Sequence, residues 1–274
     1  MGDRRAKMGE MRTTRGDGEP MPQITIGSEN LYIHISESAS PKTLLLIHGS
    51  GGDHTHWPQA LLAETRIRVA AIDLPGHGRS GGSGRNSVEA YADVIEAVVT
   101  RLGWGDVTLG GHSLGGAIAL TIGVRAPKWL SGLVLVGTGA RLRVASAILD
   151  GLMQQPDAVF SAMDAWAFGP EADSRMKERF VQQMKATGAD IVHGDFSACD
   201  RFDVMADLSR ISCRTLVVAA ENDRLTPPKY SEYLTNHLPD ARMVLLPEAG
   251  HMMALEQPER FRDAVLPFMG IAEP

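Results

Sequence analysis

The chain has 274 residues, of which 43% are hydrophobic and 22% are charged, a composition that fits one large globular α/β domain or a domain with an insertion. Its 27 basic and 33 acidic residues give a net charge of -6, without a basic stripe interleaved with aromatic residues, so we expect no nucleic-acid partner. Apolar runs such as 44–47 and 133–136 are far shorter than the roughly 20 residues that span a bilayer, so we expect no membrane partner.

Residues 1–22 are rich in Met, Arg, Gly and Glu and contain no apolar stretch, which indicates neither a secretory nor a twin-arginine signal. We predict a disordered tail over these residues. The next two segments, Gln23 to Ile26 and Leu31 to Ile35, alternate apolar and polar residues on either side of Gly27-Ser28-Glu29-Asn30. This alternation around a turn predicts an antiparallel hairpin.

Downstream, the pattern changes to short, nearly continuous apolar runs, which are typical of strands buried on both faces of a parallel sheet. The predicted strands are Thr43 to Ile47, Ile67 to Ile72, Val107 to Leu109, Leu133 to Val136, Leu216 to Ala220 and Met243 to Leu246. Helical patterns between them cover Ser87 to Leu102, Leu114 to Ala126 and Pro228 to Leu238. A hairpin followed by repeated β-α units predicts an α/β fold with an eight-stranded, mostly parallel sheet flanked by helices.

One interval, residues 140–209, breaks this alternation because it carries no strand pattern. Its helical patterns cover Ala145 to Met153, Ala158 to Phe168 and Ser174 to Ala186. We predict a helical cap over residues 140–209, inserted into a single core formed by residues 23–139 and 210–271.

A cluster of glycines surrounds Ser113 at the point where a predicted strand gives way to a helix. Gly111, Ser113 and Gly115 match G-x-S-x-G, the nucleophile elbow, in which a sharp strand-to-helix turn exposes a serine hydroxyl above the sheet. Glycine suits such a turn because it tolerates positive φ and close backbone approach. Ser113 is therefore the candidate nucleophile, although a serine in a glycine-rich turn would give the same pattern.

Polar residues also follow three other predicted strands, at the carboxyl ends where open parallel sheets bind ligands. The three segments are His48-Gly49-Ser50-Gly51-Gly52, Glu221-Asn222-Asp223 and Pro247-Glu248-Ala249-Gly250-His251. A serine hydroxyl needs an adjacent base, which His251 would supply, while Asp223 would orient the imidazole. Glu221 is the closest rival for the acid, and Asp223 could instead cap the helix that follows.

These motifs, in the order Ser113, Asp223, His251, resemble those of the α/β-hydrolase family, from about Ile24 to the last helix near Met269. The cap is the loosest part of the match. A serine in the elbow, where dehalogenases and epoxide hydrolases carry an aspartate, disfavours those two branches. Further similar segments are the glycine turn Asp73-Leu74-Pro75-Gly76-His77-Gly78-Arg79-Ser80, the acid loop Glu221-Asn222-Asp223-Arg224 with Pro227, and the histidine loop Gly250-His251.

The negative charge that develops on a substrate oxygen requires donors that are already in place. We expect the backbone N–H groups of Leu114, which follows the nucleophile, and of Ser50 to form this oxyanion hole. Gly51 is the less favoured second donor. Gly49, Gly51 and His112 are expected to border the substrate, with His112 acting through packing or hydrogen bonding.

A His-x-His pair, His54 and His56, could bind a metal ion, but no carboxylate or thiol lies at ligand spacing beside it. We favour a polar helix start before Trp57 and expect neither a metal nor a cofactor. Cys199 and Cys213 match no zinc or redox spacing. We interpret them as structural thiols in the reducing compartment of a cytoplasmic protein.

Apolar residues recur along the predicted cap at spacings that could form one face toward a pocket, namely Met153, Phe160, Met163, Trp166 and Phe168. Some of them could simply anchor the cap to the core. The resemblance implies a serine hydrolase, similar to carboxylesterases, that cleaves a small to medium hydrophobic ester through an acyl-enzyme. The same triad leaves open lactonase, thioesterase, carbon-carbon hydrolase and cofactor-free peroxidase activity, or a small-molecule receptor without turnover.

Overall fold

A computed structural model describes residues 23–272, so the predicted disordered tail lies outside the described part of the chain. Eight strands form one sheet: β1 (Gln23–Ile26), β2 (Glu29–Ile35), β3 (Lys42–Ile47), β4 (Arg68–Ile72), β5 (Asp106–His112), β6 (Leu130–Val136), β7 (Arg214–Ala220) and β8 (Ala241–Leu246). Their order across the sheet is β1-β2-β4-β3-β5-β6-β7-β8. Because β2 runs antiparallel to β1 and β4 while β3 to β8 pair in parallel, the predicted eight-stranded, mostly parallel sheet is confirmed.

Some α-helices of the described chain begin at residues whose side chains cap them. For example, the helix after β4 begins beyond Ser87, whose side chain accepts the N–H of Ala90, and ends at the left-handed Gly103. The helices are α1 (Gln59–Leu62), α2 (Val88–Leu102), α3 (Leu114–Arg125), α4 (Ser146–Gln154), α5 (Pro156–Ala167), α6 (Ser174–Thr187), α7 (Ala189–Arg201), α8 (Pro228–His237), α9 (Met253–Glu256) and α10 (Pro258–Phe268).

Strand β3 shows why the sheet is covered on both faces. Successive side chains of a strand point to opposite faces, and Leu45 and Ile47 join one apolar cluster with residues of α2 and α3. Leu44 and Leu46 join a second cluster with Trp57, α1 and α10. The unbroken apolar runs of the sequence therefore correspond to two cores, one on each face, and hold the carboxyl ends of the strands at one edge.

Four helices, α4 to α7, lie between β6 and β7, and we call them the cap helices. The sequence predicts the first three to within a few residues, whereas α7 was not predicted. These helices have an apolar cluster of their own, which includes Phe160, Met163 and Phe180 and also takes in Met252, just before α9. Phe168 belongs to the same cluster, so three members of the predicted apolar face, Phe160, Met163 and Phe168, pack inside or beside the cap.

None of the helices within residues 23–272 combines the length and the apolar composition needed to cross a bilayer.

Candidate active site

The G-x-S-x-G segment forms a tight turn between β5 and α3, and Ser113 lies at its apex with φ 53 and ψ -114. A positive φ is strained for a residue with a side chain. The two flanking glycines are required by space: a Cβ on Gly115 would lie 2.1 Å from the carbonyl oxygen of Ile47, and one on Gly111 would lie 2.1 Å from that of Gly115. The turn therefore holds Ser113 at the carboxyl edge of the sheet, where it is partly exposed.

Asp223 follows β7 and His251 follows β8, and the fold brings their side chains together. The Nδ1 atom of His251 lies 2.9 Å from Oδ2 of Asp223, and both side chains are almost fully buried. The Thr226 hydroxyl donates to the same carboxylate oxygen at 2.8 Å, while the N–H groups of Leu225 and Thr226 donate to Oδ1 at 2.9 and 2.8 Å. Glu221, the rival acid, is exposed and accepts a bond from the backbone N–H of Glu248 instead.

This environment keeps Asp223 ionised. Burial alone would raise the pKa of the carboxyl group, but the charge of His251 and the hydrogen bonds from His251 and Thr226 outweigh it, so that its pKa lies below the usual value of 3.8. An acceptor-only carboxylate fixes the proton of His251 on Nδ1, which leaves Nε2 as the free basic atom of the ring.

His112, the neighbour of Ser113, supports the other side of His251. Its Nε2 atom lies 3.0 Å from the carbonyl oxygen of His251, and the two ring centroids are 4.6 Å apart. Burial and the proximity of His251 hold the pKa of His112 well below its usual value, so the ring is neutral and donates through Nε2. Within residues 23–272, the Ser113 hydroxyl itself forms no hydrogen bond to His251, so two of the three expected triad members are in contact.

The backbone N–H groups expected to form the oxyanion hole differ in their availability. Leu114 is the first residue of α3, where an N–H has no intrahelical acceptor. In the described part of the chain, the N–H of Ser50 donates to no protein acceptor, whereas the N–H of Gly51 donates to Oδ2 of Asp195 at 3.0 Å. The N–H of Gly51 is therefore engaged. The N–H of Ser50 is left as the donor that this loop can add to the N–H of Leu114.

Asp195, on cap helix α7, is the centre of a fully buried network that the sequence did not reveal. Its Oδ2 lies 2.9 Å from Nε2 of His77, and its Oδ1 accepts from the Tyr91 hydroxyl at 2.6 Å. The other ring nitrogen of His77 lies 3.0 Å from the carbonyl oxygen of Pro75. Since both ring nitrogens face acceptors, His77 is an imidazolium: burial alone would lower its pKa, but the charge of Asp195 raises it. The ion pair attaches the cap to the glycine turn that contains His77, and the bond from the N–H of Gly51 attaches the same carboxylate to the loop of Gly51.

Ser113 opens into a cavity of about 440 Å³ beneath the cap helices. Of the predicted pocket residues, Trp166 lines this cavity together with Met163. Phe168 instead lines a neighbouring cavity of about 630 Å³, and Met153 is 61% exposed. Cys199 also lines the cavity of Ser113, but burial raises the pKa of its thiol to about 12, so it is no competing nucleophile.

One cluster of possible metal ligands exists in the described residues, because the fold adds Asp73 to the pair Asp53 and His54, with ligand atoms within 4.8 Å of one another. These atoms are already engaged. Oδ1 of Asp73 accepts from the backbone N–H of His54 at 2.7 Å and lies 2.8 Å from its Nδ1, while Oδ1 of Asp53 accepts from Thr55. The cluster thus braces the glycine turn. Asp53 caps the short 3₁₀ helix at His54–His56.

The model of a family described as "Alpha/beta hydrolase family" matches residues 44–264. A "Putative carbamate hydrolase RutD" from Agrobacterium fabrum is 28% identical over 252 residues, covering 86% of this chain and 96% of that protein. A "Pimeloyl-[acyl-carrier protein] methyl ester esterase" from Nitrosomonas europaea is 26% identical over 247 residues, covering 84% of this chain and 96% of the relative.

Solved structures agree with this assignment. The chain is similar to a structure described as "Structure of a thermophilic esterase", with 36% sequence identity and a TM-score of 0.80, over 91% of this chain and 98% of the other. The elbow, the strand order and the family match over most of the chain lead to one conclusion: this chain belongs to the alpha/beta hydrolase family of enzymes.

Proposed function

We propose that this enzyme hydrolyses carboxylic esters through an acyl-enzyme on Ser113, with His251 as general base and Asp223 as its orienting acid. The observation that carries the proposal is the 2.9 Å hydrogen bond between Asp223 and Nδ1 of His251, at the same sheet edge as the strained Ser113. This arrangement leaves Nε2 of His251 to accept a proton.

In the first half of the reaction, Oγ of Ser113 attacks the ester carbonyl carbon while its proton passes to Nε2 of His251. The N–H groups of Ser50 and Leu114 bind the oxyanion of the tetrahedral intermediate. When the intermediate collapses, the carbon-oxygen bond to the leaving group breaks, and His251 gives its proton to the departing oxygen, which leaves as the alcohol.

In the second half, a water molecule attacks the acyl-enzyme, its proton passes to His251, and the acid leaves as Ser113 regains its proton. The absence of a hydrogen bond between Ser113 and His251 is compatible with these reaction steps, because such catalytic hydrogen bonds often tighten only when substrate is bound. Two similar proteins that are named as esterases also support an ester as the substrate.

The test is steady-state turnover of para-nitrophenyl butyrate by wild type, by Ser113→Ala and by Ser83→Ala, a control that removes an exposed hydroxyl from a loop. We expect many turnovers by the wild type and by the control, and loss of nearly all activity in Ser113→Ala with an unchanged circular dichroism spectrum. Rates for a butyryl thioester and for a lactone with the same number of acyl carbons measure whether the ester is preferred. Equal activity of Ser113→Ala and wild type would refute the proposal.

A further inference from the structure

The cavity that contains Ser113 combines an apolar wall with two positive charges. Its lining includes Arg143 and Arg224 and, among the described residues, no carboxylate side chain. The apolar part of the lining includes Leu142, Ile148, Met163, Trp166, Phe196 and Leu225. A purely apolar ester has no group that could pair with two cations. The groups that Arg143 and Arg224 contact therefore bear on the kind of substrate that fits the cavity.

Neither arginine is neutralised by a protein carboxylate within residues 23–272. Arg143 donates to the backbone carbonyl oxygen of Asp200 at 2.6 Å, and Arg224 to that of Ala165 at 3.4 Å. The side chain of Asp200 accepts a bond from the N–H of Val144. Because a guanidinium carries five N–H donors, each arginine retains donors and its full charge for a ligand.

An adjoining cavity of about 240 Å³ extends the same positive field. It shares Arg143 and Tyr230 with the cavity of Ser113 and adds Arg141 and Lys229, again without a carboxylate in its lining. Arg141 forms an ion pair with Asp203 at 3.8 Å and so adds little net charge. Lys229 lies over the ring of Tyr230 and has no carboxylate partner among the described residues. Several cations around one opening attract anions and raise their local concentration.

This concentration of positive charge is local. The chain as a whole carries a net charge of -6. The neighbouring cavity of about 630 Å³ also holds two arginines, but its lining balances them with Asp53 and Asp173. The excess of positive charge is therefore a property of the cavity that contains Ser113.

We propose that the substrate is an ester that carries a free carboxylate at the end remote from the scissile bond, separated from it by an apolar segment. The apolar lining would bury the segment, and Arg143 and Arg224 would bind the carboxylate, for which the planar guanidinium fork is well matched. The inference deepens the proposed function and rests on it, since it takes Ser113 as the nucleophile.

The test compares two chromogenic esters of equal acyl length, mono-para-nitrophenyl adipate and para-nitrophenyl hexanoate, which differ in the terminal carboxylate. We expect wild type to have the higher kcat/KM for the adipate ester, and added salt to lower this preference. In Arg143→Gln and in Arg224→Gln, the ratio of the two kcat/KM values should fall by about tenfold, the loss expected for a charged hydrogen bond. Arg101→Gln, which removes an exposed arginine from the last turn of α2, should leave the ratio unchanged.

Binding provides a readout that does not depend on turnover. Calorimetry with Ser113→Ala and monomethyl adipate should show binding that is weakened about tenfold by either arginine substitution. If the wild type hydrolyses both esters equally well and the arginine substitutions leave the ratio unchanged, the carboxylate proposal is overturned while the esterase proposal stands. If neither ester is hydrolysed but monomethyl adipate binds through the arginines, the esterase proposal fails and the anion site remains. Absence of both hydrolysis and binding overturns both.

Discussion

Asp223 accepts hydrogen bonds from four donors: the ring of His251, the hydroxyl of Thr226, and the backbone N–H groups of Leu225 and Thr226. Such a carboxylate is specialised, because its lone pairs are satisfied only while it stays ionised. Glu221, two residues earlier, has the same chemical group but an exposed position. The difference between these two acids lies in their environment.

We expect Asp223→Asn to lower kcat/KM by up to about 10⁴-fold, because an amide can hold the imidazole in the wrong tautomer. Glu221→Gln is the matched control and should retain most of the activity. The measurement is kcat/KM for para-nitrophenyl butyrate, with thermal unfolding to show that both variants are folded. Equal losses in the two variants would contradict the assignment of the acid.

Gly115→Ala is expected to destabilise the fold by about 1–3 kcal/mol, because the added Cβ would lie 2.1 Å from a backbone oxygen of Ile47 that cannot rotate away. This sign is diagnostic, since Ala normally stabilises a helix relative to Gly. Gly105→Ala, where nothing lies within 4 Å of the added atom, should change the free energy of unfolding little. Urea denaturation of the two variants measures the difference, and a stable Gly115→Ala protein would contradict the close approach of β3 and the elbow.

At the scale of elements, the sequence predicts what repeats locally and misses what depends on distant partners. The predicted strand ended at Leu109, but β5 continues through Gly110 and Gly111 to His112, because the missing side chain of Gly110 leaves room for Leu46 of the neighbouring strand. Helix α7 was missed because its buried face includes a carboxylate, Asp195, beside Val192, Ala198 and Cys199. Asp195 is buried because it pairs with a residue 118 positions away.

Asp195→Asn should therefore destabilise the protein by about 3–5 kcal/mol near pH 6, because it leaves the buried imidazolium of His77 without its counter-charge. The pKa of His77 is raised above its usual 6.5 in the folded state. The ion pair of His77 and Asp195 thus contributes fully to stability below the usual pKa of 6.5. This contribution is lost as the pH rises through the higher pKa of His77 in the folded state. We expect the difference in unfolding free energy between wild type and Asp195→Asn to shrink as the pH rises above 6.5 and through the raised pKa of His77.

Asp93→Asn serves as the control, since Asp93 pairs with Arg125 on the surface and its side chain is 69% exposed. Its effect on unfolding should be small and should not follow the same pH trend. If the effect of Asp195→Asn is independent of pH, His77 is not the group whose charge Asp195 stabilises.

For the whole molecule, the order of motifs along the chain was sufficient to predict the fold class and to select Ser113, Asp223 and His251, because each follows a strand in a parallel sheet. The catalytic roles of these residues stay predictions. The sequence could not show that the cap reaches the loop of Gly51 through Asp195, nor that Arg143 and Arg224 share a cavity with Ser113. Those relations depend on how the cap helices pack over the sheet, and no local pattern encodes that packing.

The central claim, that Ser113 carries the acyl group, is tested most directly by trapping the intermediate. The protein is mixed with excess para-nitrophenyl butyrate, quenched with acid during the first turnover, and digested for mass spectrometry. We predict a burst of nitrophenolate approaching one equivalent of enzyme, if deacylation is the slower step, with a single butyryl group on the peptide that contains Ser113. A butyryl group on a different residue, or turnover that persists in Ser113→Ala, would contradict the account.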